Sequence, residues 1–183
     1  MIAINLEKNE IPTGSFALDP AHTIVGFEVP HLVVSSIEGR FKKFEGTLNL
    51  GIKLSDSKVE ANIDVSSIDT AENDRDKHLK SADFFDVDKF PKMTFESTSF
   101  VGMPAQFKVY GKLTIKNITK EVVLDAKLSK EITDPWGKKR VALTGMTKIK
   151  RQDFGLTWNN IADVGQIVGD EITILIKAEA IKK

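Results

Sequence analysis

The residues of this 183-residue chain that could do chemistry are few, and their spacing is unhelpful to catalysis. There are three histidines, His22, His31 and His78, and no cysteine. The missing cysteines remove disulfides, a thiol nucleophile and cysteine-ligated zinc or iron–sulfur sites together. His22 and His31 have Asp19 nearby, but a metal needs three or four convergent ligands, and neither HxH nor HExxH occurs. Each histidine reads as a hydrogen-bonded strand or helix residue. Asp74 and His78 lie one helical turn apart and would share a helix face, a spacing more common in surface pairs and cap contacts than in acid–base dyads. Asp69, Glu72, Asp74 and Asp76 gather carboxylates, yet the calcium loop of an EF-hand is missing, so the cluster reads as solvated helix polarity with favourable charge in the first turn. No G-x-S-x-G elbow is present, and Asp153-Phe154-Gly155 copies a kinase tripeptide without its glycine-rich loop or H-R-D. Asn117-Ile118-Thr119 is a formal glycosylation sequon placed where a hairpin turn belongs.

Composition narrows the partners. Lys plus Arg and Asp plus Glu number 26 each, giving zero net charge. Such a chain lacks the basic footprint of a nucleic-acid binder. The longest uncharged run, Ser97 to Phe107, is broken by Pro104 and too short for a transmembrane helix. Met1 to Pro12 hold Glu7, Lys8 and Glu10 and no apolar block, so no signal peptide is visible. The expected location is cytoplasmic, or outside the cytoplasm where a leader has been removed. The aromatic set is more suggestive, with 11 Phe, 2 Trp and 1 Tyr. Those rings either fill a barrel core or line an apolar cavity, and periodicity alone does not separate the two.

The elements that must position these residues repeat with period two. Apolar residues alternate in Val25-Phe27-Val29, Phe44-Gly46-Leu48-Leu50, Val59-Ala61-Ile63-Val65, Val109-Gly111-Leu113-Ile115 and Val122-Leu124-Ala126-Leu128. They alternate again in Val141-Leu143 and Ile172-Ile174-Ile176-Ala178. A strand sends successive side chains to opposite faces, so each run has one apolar and one polar face, the mark of antiparallel strands wet on one side. Breakers at Asp19-Pro20, Ser55-Asp56-Ser57, Gly102-Met103-Pro104, Lys116 to Thr119 and Asp134 to Gly137 separate them. The expected fold is an all-β antiparallel barrel that closes its own edges, as one domain over residues 1–183. Asp69 to Phe90 lacks the alternation. It reads as a helical excursion across one barrel end, with Thr70, Asn73 or Asp74 as N-cap and Leu79, Phe84 and Phe85 as its apolar side. Trp158 to Asp170 is a second irregular stretch, at the same end or the other. Inward-facing positions at Phe27, Leu48, Ile63, Phe95, Leu113 and Leu124 follow from the polar character of their neighbours.

A series of motifs then resembles a known family. Asp19-Pro20-Ala21-His22-Thr23 precedes Phe27, His31-Leu32 and Gly39-Arg40-Phe41. Phe44-Glu45-Gly46-Thr47-Leu48 and Ser67-Ile68-Asp69-Thr70 follow, then the long block Arg75 to Asp86, Phe90-Pro91 and Thr94-Phe95. The second half adds Gly111 to Thr114, Asp134 to Gly137, Asp153 to Gly155, Trp158-Asn159 and Val168 to Glu171. From about Ser15 to Ala180 the chain resembles the YceI-like family of bacterial lipid-binding proteins, departing from it at Val33 and at Val164-Gly165.

That resemblance implies a lipocalin-like, extended barrel of about eight strands with a helical insertion, no firmly attached enzymatic activity, no cofactor, and in many members a dimer. The implied ligand is a polyisoprenoid, an isoprenoid quinone or a similar long amphiphile. Candidate ligand-binding residues are Phe27, Phe41, Leu48, Ile63, Phe84, Phe85, Phe95, Leu113, Leu124 and Trp158. Arg40, Arg151, Asn159 and His31 are candidates for a head group at the mouth, or hydrogen-bonders of the barrel end. A chain of methylenes gains about 0.8 kcal/mol for each one moved out of water, so such a ligand needs a tunnel more than it needs polar contacts. The rival reading is an enzyme or metal-dependent protein using the acidic helix and the histidines.

Overall fold

Each alternating run becomes a strand with its apolar residues turned inward. In the run at 106–115, Phe107, Val109, Leu113 and Ile115 are buried while Lys108, Tyr110 and Lys112 face water. The computed structural model describes residues 11–32, 34–159, 161–162 and 165–183; Val33 and Val164, two of the family departures, lie outside the described residues.

The strands are β1 (Gly14–Leu18), β2 (Ile24–His31), β3 (Ser35–Phe41), β4 (Phe44–Leu50), β5 (Lys58–Asp64), β6 (Ile68–Asp69) and β7 (Lys92–Met103). They continue with β8 (Gln106–Ile115), β9 (Ile118–Leu128), β10 (Ile132–Thr133), β11 (Lys139–Lys150), β12 (Ile161–Ala162), β13 (Gly165–Gln166) and β14 (Glu171–Lys182). Among the described residues one α-helix, α1 (Asn73–Lys80), accompanies them. The pairing order β11-β9-β8-β7-β5-β4-β1-β14 returns to β11 through a ladder running from Arg140↔Ile181 to Lys150↔Glu171. The result is a closed eight-strand antiparallel barrel, which leaves no free edge around the ring.

One of the expected breaks, Asp19-Pro20, bends a strand rather than reverses it, and a second kink falls where no break was expected. β1 and β2 both pair with β14, at Ile181 and at Leu175 respectively, so Asp19 to Thr23 is a kink in one wall. The matching kink falls at Lys42 and Lys43 between β3 and β4. Lys116-Asn117 is the tight β8–β9 turn, the position of the sequon. At the β10–β11 turn, Asp134 accepts hydrogen bonds from Trp136 N at 2.9 Å and Lys138 N at 2.8 Å.

The interior is filled unequally. Toward the β7–β8 hairpin, Phe16, Leu48, Phe100, Phe107, Leu128 and Val141 pack into a solid plug. Phe41, Ile68, Phe84, Met93, Phe154 and Leu156 form a second cluster toward the other end, where α1 lies. The excursion is therefore helical over α1 only, and it covers one barrel end as expected. Its N-cap differs from expectation: Glu72 accepts from Asp74 N at 3.2 Å and Arg75 N at 2.6 Å. The three shorter candidates lose because the capping position falls on the glutamate, whose longer arm reaches the same orphan donors. The stretch after β11 folds over this end too, with Leu32 N donating to Ile167 O at 2.9 Å and Gly169 N to Pro30 O at 2.8 Å.

Candidate functional site

Between the plug and α1 the barrel is hollow. An upper chamber of about 120 Å³ is lined by Phe27, Phe41, Ile68, Phe84, Phe85 and Ile172, among others. A lower chamber of about 130 Å³, nearer the plug, is lined by Ile63, Phe95, Leu113, Leu124 and Leu143. Above them a mouth of about 380 Å³ opens between the β2–β3 hairpin and α1, bounded by His31, Asp74, Arg75, His78 and Trp158. Phe27, Val29, Leu79, Phe84 and Val168 belong to both the mouth and the upper chamber. The three spaces therefore form one series, hydrocarbon-lined below and, at its entrance, apolar with His31, Asp74, Arg75 and His78 at the rim.

Local structure explains how the rings reach these places. Phe27 sits directly opposite Gly39 in the β2–β3 ladder. Phe95 lies over Gly111, whose added Cβ would come within 2.4 Å of the ring. After α1 the chain turns back on itself, Phe85 N donating to Leu79 O at 3.0 Å and Val87 N to Lys80 O at 3.1 Å, and this delivers Phe84 and Phe85 beneath the helix. His78 meets Trp158 edge-on at 4.7 Å between centroids and Phe84 edge-on at 5.1 Å.

Three candidates, Leu48, Arg40 and Asn159, line none of these spaces. Leu48 is 1% exposed inside the plug and lines none of these spaces. It has the inward direction that its run predicts, but at a depth where side chains fill the barrel. Arg40 points outward, its side chain 58% exposed and 3.7 Å from Asp69. It alternates with Gly39 and Phe41, whose faces it cannot share. His31 does border the mouth.

Arg151 is buried and spends its guanidinium on backbone carbonyls. Nε donates to Gly169 O at 2.9 Å, Nη1 to Leu156 O and to Trp158 O at 2.9 Å, and Nη2 to Val168 O at 3.3 Å. Burial pulls its pKa below the ordinary arginine value, and the nearby Asp170 charge opposes that shift. Asn159 bridges the same segment, giving a hydrogen to Val168 O at 2.8 Å and accepting from Val168 N at 3.2 Å. Both residues hold the strap over the barrel end, the structural alternative weighed for them.

The expected Asp74–His78 contact is replaced. His78 Nε2 lies 2.9 Å from Asp83 Oδ2, and Asp74 pairs with Lys77 at 3.2 Å. The chain reversal after α1 brings Asp83 closer than the residue one turn back. The remaining carboxylates of the acidic cluster are also engaged. Asp76 accepts from Thr70 N and Oγ1, and Asp69 pairs with Lys42 at 2.8 Å. Arg75, which the sequence reading did not single out for the mouth, is held there by donation to Thr70 Oγ1 and Thr70 O, each at 2.8 Å.

Among the described residues, one trio has metal-ligand types in convergence: Asp19, His22 and Glu179. A cation already stands in it. Arg140 Nη1 donates to Asp19 Oδ2 at 2.8 Å and to Glu179 Oε1 at 2.6 Å, and Nε donates to Asp134 Oδ2 at 2.6 Å. His22 and then Arg140 hold the Asp19 carboxyl down at about 2, and Arg140 lowers that of Asp134. The arrangement is an ion-pair seam on the barrel wall beside the plug residues Val141 and Ala180, and none of its residues lines the mouth.

Comparison with known proteins agrees with this architecture. The YceI-like domain profile matches residues 16–180. Protein YceI of Salmonella newport is 39% identical over 163 residues, 88% of this chain and 83% of that protein. The crystal structure of Burkholderia cenocepacia BcnA superposes with a TM-score of 0.79 at 25% identity, covering 88% of this chain and 98% of that one. A polyisoprenoid binding domain from Saccharophagus degradans shares the fold with a TM-score of 0.69 at 13% identity, over 92% of this chain and 98% of that domain.

Proposed function

The chain belongs to the YceI-like domain family, and from that membership and the shape of its lumen we propose that it binds a long apolar amphiphile of the polyisoprenoid or isoprenoid quinone class and releases it unaltered. One observation carries the reading. The barrel is plugged at one end and, toward the other, offers two hydrocarbon-lined chambers under a mouth that holds the polar groups. That sequence of surfaces matches a molecule with an apolar chain and a polar head.

The energetics favour a chain without strong polar anchors. Each methylene moved from water into the lumen contributes about 0.8 kcal/mol. A head group would rest among His31, Arg75 and His78, in the wet part of the path. The polyisoprenoid binding domain from Saccharophagus degradans lends the fold a precedent for such a ligand. Catalysis finds little support, because Asp74, Arg75 and His78 at the mouth are engaged with Lys77, Thr70 and Asp83 respectively.

Organic extraction of the purified protein, followed by mass spectrometry, tests this reading. The expected result is a stoichiometric isoprenoid or similar long-chain lipid of unmodified mass. A protein that carries no lipid and takes none from isoprenoid-loaded vesicles overturns it.

A further inference from the structure

Three residues, Val25, Met93 and Ile174, line both the upper and the lower chamber. No other described residue lines both. They stand where one space gives way to the next. Ile174 is on β14 and Met93 on β7, and in the closed ring these two strands are separated by three others on either side. They face each other across the full width of the barrel. Val25 is on β2 beside Ile174: the ladder pairs Val25 with Ile176 and Phe27 with Ile174, so Val25 and Ile174 are diagonal neighbours on one wall.

The two sides of this constriction differ in stiffness. Val25 and Ile174 are β-branched, and the strand backbone restricts their χ1. Met93 is unbranched, with three rotatable bonds and a polarisable thioether that adapts to irregular space. It is 7% exposed and packs in the α1-side cluster. Either chamber alone, at about 120 or 130 Å³, falls short of the roughly 300–1,000 Å³ of a pocket for a drug-sized ligand. A long chain therefore has to cross from one to the other.

We propose that Met93, swinging against the fixed Val25–Ile174 wall, is a gate within the lumen that sets how long a chain the barrel accepts. This rests on the carrier reading and adds a specificity determinant to it. Short chains are held by the mouth and upper chamber and leave the gate closed. Long chains displace the Met93 side chain and occupy the lower chamber, where Phe95, Leu113 and Leu124 receive them.

The test compares farnesol and octaprenol binding to delipidated wild type, Met93→Trp, Met93→Ala and Val25→Phe, with circular dichroism and thermal melts to establish folding. Because Met93 also borders the upper chamber, the readout is the ratio of the two affinities: Met93→Trp is expected to lose at least about tenfold more affinity for octaprenol than for farnesol, a difference of about 1.4 kcal/mol or more. Val25→Phe narrows the same passage from the other wall and should give the same split. If Met93→Trp fails to fold, Val25→Phe and Met93→Ala carry the comparison, the alanine variant speeding octaprenol uptake more than farnesol uptake. Folded narrowing variants that retain both alcohols, or lose affinity for both to the same extent, overturn the gate. Wild type that binds neither alcohol overturns the carrier reading itself, and the gate with it.

Discussion

Phe27 lies directly opposite Gly39 across the β2–β3 ladder, and its ring occupies the space that a side chain on Gly39 would need, with Cζ 2.3 Å from an added Cβ. The pair ties a backbone choice on β3 to the shape of the mouth, because Phe27 lines both the mouth and the upper chamber. Aromatic cover of a cross-strand glycine also shields a backbone that would otherwise lack side-chain packing.

Gly39→Ala should therefore push the Phe27 ring toward the lumen. Overpacking of this kind costs about 1–3 kcal/mol. The expected result is a lower urea midpoint with an unchanged m-value, together with weaker lipid uptake. Phe27→Leu in the Gly39→Ala background should restore part of the stability, since the smaller side chain frees the contested space. Equal midpoints for wild type and Gly39→Ala would show that the ring has room to move aside.

Arg151 leads to a second prediction. Its guanidinium satisfies carbonyls from Leu156, Trp158, Val168 and Gly169 at once. Arg151→Met leaves buried carbonyls unpaired, each at roughly 1–3 kcal/mol. A loss of about 3 kcal/mol or more is expected in equilibrium unfolding. Arg151→Lys should recover little, because a point charge cannot reproduce the planar fork. A fully stable Arg151→Lys would mean that charge alone holds the strap.

These positions also show where sequence reading stops. Alternation identifies which residues of a strand face inward, and the runs at 109–115 and 122–128 turn in as their pattern predicts. It carries no information about depth along the barrel axis. Leu48 and Leu113 have the same period-two signature, yet Leu48 sits in the plug and Leu113 borders the lower chamber. Depth depends on the stagger between strands and on the β11–β14 closure, which are long-range registers. Met93 was missed for a related reason. Lys92-Met93-Thr94-Phe95 alternates, but the run is short before the bulge between Ser97 and Ser99 disturbs it. The role of Arg151 depends on a strap that returns to it from Leu156 to Gly169, and no local spacing encodes that return.

The Arg140 seam makes the acid limb of stability predictable in sign. The Asp19 carboxyl is held at about 2, below its ordinary 3.8, by His22 first and Arg140 second. A depressed carboxylate stabilises the folded state above its unfolded pKa and loses that contribution as pH falls through the folded value. Wild type should therefore lose stability progressively from about pH 4 down to pH 2. Asp134 and Glu131, lowered by Arg140 and by Lys139 with Lys182 respectively, act in the same direction. Arg140→Met removes the cation from among Asp19, Asp134 and Glu179 and should lower Tm at neutral pH. Its Tm should fall less steeply than that of wild type over the acid range, because protonation relieves the unpaired carboxylates. Parallel Tm–pH curves for the two proteins would contradict the seam's role.

Phe95 tests the apolar character of the lower chamber directly. A carboxylate there would be stranded among Ile63, Leu113 and Leu124. Phe95→Asp should either prevent folding or abolish lipid retention, at a cost to stability of about 3 kcal/mol or more. Phe95→Leu keeps the apolar surface and should retain lipid with a milder loss of stability. A stable Phe95→Asp variant with wild-type uptake would place ligand binding outside the lower chamber.

His78 and Asp83 decide between carriage and chemistry. Their side chains are 2.9 Å apart at the mouth, the one histidine–carboxylate pair among the described residues that borders the lumen. An acid–base role would need the imidazole directed at a ligand atom. Instead its ring is braced edge-on by Trp158 and Phe84, and Nε2 is occupied by Asp83, in a pair whose side chains are 39% and 55% exposed. The pair thus ties α1 to the turn that follows it, while the Trp158 contact seats the helix on the strap. The decisive comparison is wild type against His78→Gln with Asp83→Asn, each loaded with one isoprenoid and followed by mass spectrometry over time. Conversion of the lipid by wild type but not by the double variant would make the protein an enzyme. The expected outcome is an unaltered mass in both, with faster lipid release from the double variant because the mouth is less firmly braced.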